Sequence, residues 1–483
     1  MIHWILIGRV LGLFLAAFGA TMGVPAAYSL ATGGEDLAAL SGSACLTSGV
    51  GVALWLACRG ARRELTQREG ILLTVAVWLA ASLFGSLPFV FAPGITSLTD
   101  AVFEATSGVT TTGASILPEV ESLSRPILLW RALVMWLGGM GIVVLVIAVL
   151  PLVGHGGMHL YRAEFSGAQS EKLTPRVAET ATSVWGIYVA LTIALVVLLV
   201  VAGMEPFEAV AHAFTTLATG GFSTRTASIG AFGSPAIEFA TTAFMILGGA
   251  SFILHYRALL ERRPLAALRD HEFRYYLGVI CLATVTIAAL LYWQQGYALE
   301  KSLRTALFQV SSITTTTGFS TDDFELWPPL GQLILLVLMF TGGCTGSTSS
   351  GMKISRMLVL FKVVSREFKR MVERHGVFAV RLGGRVVPEP TIQSLLNLVY
   401  LAFMVNFVSC LLLAAIGVDV FTTISAVAAS MFNIGPALGG VGPTDNYSAL
   451  PNLAKWVLTF DMIAGRLEFY TMLVTVTPWF WRK

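Results

Sequence analysis

The sequence predicts an all-α integral membrane protein, and its composition, the length of its apolar stretches and its charge distribution support this fold class. Of the 483 residues, 55% are hydrophobic and only 12% are charged, whereas soluble domains carry about 25% charged residues. Lipid admits only helices or closed barrels as spanning structures, and apolar stretches of about 20 residues are too long for barrel strands. The predicted spans are 3–30, 37–57, 70–92, 127–150, 184–203, 236–256, 275–294, 329–360, 391–416 and 452–478.

The first span is longer than the core of a signal peptide and lacks a clear small-residue cleavage site, so we expect it to be a retained anchor. Lysine and arginine concentrate in the loops 59–69, 155–180, 257–274 and 353–385 and at the C-terminal tip. The positive-inside rule therefore predicts that these loops and both termini are cytoplasmic.

The opposite, outer side is rich in carboxylates, which together predict an acidic mouth that raises the local cation concentration. Taken one at a time, solvated surface is the simpler interpretation of each carboxylate. These residues include Asp100, Glu104, Glu119, Glu205, Glu208, Glu300, Asp322, Asp323 and Asp419.

From residue 70 onward one unit recurs: a membrane helix, an outer loop with a short re-entrant segment, and a second membrane helix. The re-entrant segments have about 12 residues, too few to span a bilayer; they are 99–109, 207–217, 302–313 and 421–431. The predicted division is a helix pair at 1–69, then repeats at 70–155, 156–258, 259–385 and 386–483, the third with a broken second helix and a basic loop.

A motif rich in threonine and glycine follows each re-entrant segment. Non-helical backbone at membrane depth persists only where it lines water or is buried in protein, so the four motifs are predicted to line one aqueous path. Backbone carbonyls can replace the hydration shell of potassium, and glycine permits the positive φ that turns successive carbonyls to one axis. The predicted K+ ligands are Thr111, Thr112, Gly113, Thr219, Gly220, Gly221, Thr316, Thr317, Gly318, Asn433, Ile434 and Gly435.

One such motif alone would be explained by helix packing, but four at matched positions favour a pore. The fourth copy is degenerate, and its alignment is open by one residue.

Two other features stand out. A run rich in glycine, serine and threonine from Thr341 to Gly351 cannot form a stable helix. Asp461, Arg466 and Glu468 are charges within an apolar span, where each costs about 2.5–3.5 kcal/mol.

These motifs resemble the Trk/Ktr/HKT superfamily of potassium transporters, and within it the bacterial TrkH type, over essentially the whole chain. The resemblance implies four M1–pore loop–M2 repeats around a pseudo-fourfold axis, preceded by an extra helix pair. It implies potassium preference, because plant relatives that pass sodium have serine at the position of Gly113. It further implies a gate below the filter, formed by Gly342, Gly343, Gly346, Gly351, Lys353 and Arg466. An ion pair of Arg466 with Glu468 or Asp461 is the alternative.

The resemblance also implies a homodimer in the bacterial inner membrane that docks on a cytosolic, nucleotide-binding TrkA-type subunit. The basic loop 353–385 is the candidate docking surface, unless it only sets the topology. Potassium is the expected transported ion, and no catalytic residue, bound organic cofactor or nucleic-acid partner is predicted. A sodium- or proton-coupled secondary transporter remains the alternative, although all four motifs lie on the same face.

Overall fold

The computed structural model describes residues 2–60, 65–91, 95, 97–141, 177–263 and 266–482. In these ranges the regular structure is helical except for one small hairpin, in which Arg381–Leu382 pairs antiparallel with Arg385–Val386. Six helices are long and apolar enough to cross a membrane, or seven if one sharply bent pair is counted as a single span. The chain is therefore an all-helical, multi-pass membrane protein, as the composition predicts.

The N-terminal part contains α1 (Trp4–Thr21), α2 (Gly23–Thr32) and α3 (Leu37–Ala57). Helices α1 and α3 cross at close range through glycines. A Cβ atom added to Gly12 would lie 2.6 Å from the backbone nitrogen of Trp55, and small residues at such crossings let two backbones approach within a membrane.

Four units follow, and each starts with a long helix: α4 (Gln67–Gly85, continued by α5, Leu87–Phe91), α8 (Val177–Val201), α13 (His271–Gln294) and α17 (Glu389–Ile416). A shorter, largely buried helix comes next in each unit: α6 (Leu98–Val109), α9 (Pro206–Leu217), α14 (Leu299–Thr314) and α18 (Val420–Phe432). The structure thus contains a short helix at each of the four predicted re-entrant segments.

The helices that follow the motifs are α7 (Arg125–Gly139), α10 (Pro235–Gly248) with α11 (Phe252–Leu259), α15 (Pro329–Met339) with α16 (Ile354–Val372), and α19 (Asn452–Arg466) with α20 (Tyr470–Val476). Two further short helices are α12 (Ala266–Arg269) and α21 (Pro478–Trp481). The predicted break within 329–360 is confirmed, because residues 340–353 separate α15 from α16.

Two spans that the sequence predicts as continuous are interrupted. Helices α10 and α11 are bent by 102°, and three residues separate the end of α19 at Arg466 from the start of α20 at Tyr470. Glu468 and Phe469 have φ of 56° and 55°, which a continuing helix cannot accommodate. At the other break, a Cβ on Gly249 would lie 2.6 Å from the hydroxyl of Tyr276. Hydropathy does not register such packing. Helix α7 ends at Gly139, and positions 142–150 of its predicted span lie outside the described residues.

Candidate ion pathway

The four motifs have the same backbone conformation. In each, a residue with positive φ is followed by one ordinary residue and then by a glycine with positive φ. The first positions, Thr111, Thr219, Thr316 and Asn433, have φ of 55°, 51°, 59° and 56°. The glycines Gly113, Gly221, Gly318 and Gly435 have φ of 85°, 79°, 85° and 92°. The fourth copy therefore aligns with the others without an offset, and Asn433 occupies the place of a threonine.

The ends of the short helices create this conformation. The N–H of the residue before each glycine donates to the carbonyl five positions earlier, as in a Schellman motif. These bonds are Thr112 to Ser107 at 2.8 Å, Gly220 to Thr215 at 2.9 Å, Thr317 to Ser312 at 2.8 Å and Ile434 to Ala429 at 2.9 Å. Because these N–H groups bond back to the helices, the motifs offer mainly carbonyl and hydroxyl oxygens to their surroundings.

The four glycines lie in a closed circle, which we call the glycine ring (Gly113, Gly221, Gly318 and Gly435). A Cβ added to any of them would collide with, or closely approach, a carbonyl of the next motif in the order 1–2–3–4–1. The facing carbonyls are Gly220 for Gly113, Thr317 for Gly221, Ile434 for Gly318 and Thr112 for Gly435. The structure thus brings the twelve predicted filter residues together around one centre, with no space for side chains at the glycines.

Hydrogen bonds between the segments that follow the motifs tie neighbouring motifs together. The N–H of Tyr447, after the fourth motif, donates to the carbonyl of Ser115 at 2.8 Å, and the N–H of Gly230, after the second, donates to Ser320 at 3.1 Å. The carboxylate of Glu121 accepts from the N–H of Thr226 at 2.9 Å. Burial works against ionisation of Glu121, but the hydroxyl and N–H of Thr226 outweigh it and hold its pKa below the usual value.

A small cavity of about 90 Å³ lies outside the glycine ring, and its charged lining residues are Arg131, Arg225 and Asp445. Two of these three charges are positive, and the acidic mouth expected for the outer side as a whole stays a prediction. Five of the carboxylates named from the sequence form ion pairs in the described structure: Asp100 with Lys455, Glu104 with Arg131, Glu205 with Arg125, Glu208 with Arg225, and Glu300 with Arg304. This pairing offsets part of the negative charge that the sequence count suggested.

The 340–353 loop lies against the third motif. The N–H of Ser350 donates to the hydroxyl of Thr316 at 2.9 Å, and the hydroxyl of Ser349 lies 3.3 Å from the same oxygen. Thr348 donates its hydroxyl to the carbonyls of Leu217 and Gly248, both at 3.0 Å. The structure therefore places the loop between the base of the second and third motifs and the broken end of α10.

Glycines allow the tight path of this loop. Gly342, Gly346 and Gly351 have φ of 74°, 76° and 79°, and a Cβ on Gly351 would lie 2.6 Å from the Cα of Gly342. Gly343, another of the residues assigned to the gate from the sequence, donates its N–H to the hydroxyl of Ser349 at 2.8 Å. Lys353 closes the loop, because its ammonium donates to the carbonyl of Ser349.

Arg466, at the end of α19, connects the loop to the end of α7. Its guanidinium donates to the carbonyl of Thr348 at 3.1 Å and to the hydroxyl of Ser350 at 3.0 Å. It also donates to the carbonyls of Gly138 and Gly139, at 2.8 and 3.2 Å. The described structure thus joins Arg466 to the predicted gate loop through two direct hydrogen bonds.

The carboxylates considered as partners of Arg466 have other contacts. Glu468 forms an ion pair with Arg356 at 2.7 Å, and Asp461 accepts from the hydroxyl of Ser409 at 2.8 Å.

The sequence did not single out several residues that the structure places at this site. Glu272, at the start of α13, accepts the N–H group of Thr345 within the loop at 2.6 Å and that of Ser355 in the first turn of α16 at 3.3 Å, and so ties the loop to the start of α16. Arg131 lies beside the first two motifs. A charge inside the apolar span 127–150 was the available signal for Arg131, by the same reasoning that selected Arg466.

Comparison with known proteins agrees with this geometry. The family model described as "TrkH: Cation transport protein" matches residues 40–482. The "Trk system potassium uptake protein TrkH" of Escherichia coli K12 is 41% identical over 100% of both chains, and that of Halomonas elongata is 42% identical over 98% of both. The crystal structure of the potassium transporter TrkH from Vibrio parahaemolyticus superposes with a TM-score of 0.90 at 38% identity over 100% of both chains.

The resemblance inferred from the motifs is thereby confirmed, and so is the prediction that the chain is not an enzyme, because the matched proteins are transporters. This chain belongs to the TrkH family of cation transport proteins.

Proposed function

We propose that this chain is the potassium-translocating subunit of a bacterial potassium uptake system. The observation that carries the proposal is the identical backbone of the four motifs, which close into the glycine ring. The names of its relatives, potassium uptake proteins over their full length, support the same ion.

In this proposal the four units are repeats around a pseudo-fourfold axis, and the ring is a selectivity filter. The carbonyl oxygens of the twelve motif residues replace the hydration shell of a potassium ion. Four short helices end at the ring, and their partially negative C-termini favour a cation there. None of the twelve residues carries a charged side chain, which disfavours a divalent-cation or anion filter.

The gate consists of the 340–353 loop and Arg466. The loop is bound to the third motif through Thr316 and to the first repeat through Arg466, so these bonds hold a closed arrangement. Opening requires the loop to leave Thr316, and the charge of Arg466 adds a barrier to cations until it moves.

The chain acts as a homodimer in the bacterial inner membrane, with both termini and the basic loop 353–385 in the cytoplasm. A cytosolic TrkA-type nucleotide-binding subunit docks on that loop and moves the gate. The free energy for opening then comes from the partner, because a ligand shifts an equilibrium only by its differential affinity for the two states.

Reversal potentials of the purified protein in liposomes test the proposal. We expect the reversal potential to follow the potassium gradient when potassium, sodium and proton gradients are imposed separately. A reversal potential that moves with a proton or sodium gradient at constant potassium would instead establish a coupled secondary transporter, or symporter. An equal response to sodium and potassium gradients would contradict the filter assignment.

A further inference from the structure

Two positions behind the glycine ring are occupied differently in the four motifs. One lies nine residues before the ring glycine and the other two residues after it. The first positions are Glu104, His212, Gln309 and Ala426, and the second are Ser115, Ser223, Ser320 and Ala437. Glu104 accepts from the hydroxyl of Ser115 at 3.1 Å, and the ring of His212 lies 2.9 Å from the hydroxyl of Ser223. The fourth copy has alanine at both positions and cannot form a side-chain hydrogen bond between them. The four copies therefore differ in how polar side chains support the backbone after the ring glycine.

Only the first copy has a charge at this position, and Arg131 of α7 pairs with it. The Nε of Arg131 lies 2.6 Å from Glu104, and only 3% of the arginine side chain is exposed. Arg131 also donates to the carbonyl of Ser223 at 2.7 Å, and its guanidinium lies 3.6 Å from the ring centre of Phe222. Glu104 accepts in addition the N–H of Ile116 at 3.0 Å. The pair therefore links the segment after Gly113 to the segment after Gly221.

A buried ion pair is a costly way to stabilise a fold, because an apolar pair of similar volume is often as stable or more stable. Here each charge also has fixed partners in a different motif. All of these contacts lie one to three residues beyond the ring glycines. A shift of either segment would displace the carbonyl of Gly113 or of Gly221, because at most three residues separate each glycine from the contacts that follow it.

We propose that Glu104 and Arg131 are positioning residues that hold the first two filter segments in register and so set the preference for potassium over sodium. The proposal rests on the proposed function, in which the glycine ring is the filter. Neither side chain is required to touch the ion, and each acts through the backbone beside Gly113 and Gly221. The guanidinium plane is needed, because it meets the carboxylate, the Ser223 carbonyl and the Phe222 ring at once.

The test compares permeability ratios for potassium and sodium, taken from reversal potentials of purified variants in liposomes. Arg131→Gln and Glu104→Gln are each expected to lower the ratio about fivefold or more, the size of coupling seen between residues in direct contact. Arg131→Lys keeps the charge but loses the planar fork, and we expect it to fold and still lower the ratio. The double variant Glu104→Gln, Arg131→Gln leaves no unpaired buried charge. Its potassium-to-sodium permeability ratio should therefore fall less than that of either single variant.

Arg125 offers a matched control on the same helix. It pairs with Glu205 at 2.8 Å and its guanidinium lies 5.3 Å from the ring centre of Phe207, but its side chain is 55% exposed, in contrast to that of Arg131. Arg125→Gln should leave the ratio unchanged. An equal fall in the permeability ratio for Arg125→Gln would overturn the proposal, because the effect would then not be specific to the contacts of Arg131. Folded Arg131→Lys with the parental ratio would overturn it as well, even if the glutamine variants do not fold.

Gly113→Ser, measured in the same assay, separates this proposal from the function on which it rests. If Gly113→Ser leaves the ratio unchanged, the filter assignment fails and this inference fails with it. If Gly113→Ser lowers the ratio while the Arg131 variants do not, only the role of the pair is refuted. Melting temperatures of all variants show whether a change in ratio merely follows a loss of stability.

Discussion

Replacing Arg466 by alanine tests the gate directly. The guanidinium donates two hydrogen bonds to the 340–353 loop, at Thr348 and Ser350, and two to the end of α7, at Gly138 and Gly139. Alanine removes all four bonds and the positive charge. We expect potassium flux to rise, because the loop loses its connection to α19 and the path loses a barrier to cations.

The magnitude follows from the bonds to the loop. A hydrogen bond with one charged partner contributes about 1.5–3 kcal/mol to stability. The released loop regains solvent on opening, so only part of the two bonds counts against the open state. If about 1.4 kcal/mol of the total counts against the open state, its loss shifts the ratio of open to closed protein about tenfold. Arg466→Lys retains the charge and can reach only some of the four acceptors, so its flux should lie between the parent and the alanine variant.

Rubidium uptake into liposomes without a cytosolic partner measures this change, and size-exclusion chromatography measures folded yield. Ser350→Ala is the matched control, since it removes one acceptor of Arg466 and leaves the charge in place, and its flux should rise about threefold. Loss of Arg466 also leaves buried carbonyls without a donor, which lowers stability. The reasoning is refuted if folded Arg466→Ala protein conducts no faster than the parent.

Three further predictions follow from the same contacts. Gly113→Ser introduces a Cβ that collides with the carbonyl of Gly220; we expect a lower potassium-to-sodium permeability ratio, and an unchanged ratio at normal yield would remove Gly113 from the filter. Glu272→Ala frees the N–H of Thr345 in the loop and that of Ser355 in the first turn of α16, and should raise rubidium flux several-fold, of the order of one charge-assisted hydrogen bond, whereas unchanged flux would show that Glu272 does not restrain the loop. Asp419→Ala removes the N-cap of α18 and should cost about 1 kcal/mol of stability, while Asp419→Asn should cost less; equal melting temperatures for all three proteins would contradict the cap.

The sequence by itself determined the helical membrane class, the four short helices and the positions of the threonine–glycine motifs. These features depend on local chemistry. Apolar stretches report burial in lipid, and a run such as Gly342 to Gly351 cannot remain helical because of its composition. The location of Arg466 as a costly intramembrane charge followed from the same kind of reasoning.

The tertiary structure alone decided how these pieces meet. The alignment of Asn433 with Thr111 was open by one residue until its φ fixed it, because the side chains differ while the backbone is the same. The break at Gly249 depends on Tyr276 and on the third motif, which a hydropathy window cannot see. Glu104 looked like a surface carboxylate and is a buried partner of Arg131, 27 residues away. Composition determines which segments enter the membrane, but contacts between distant segments decide where helices break and which charges pair.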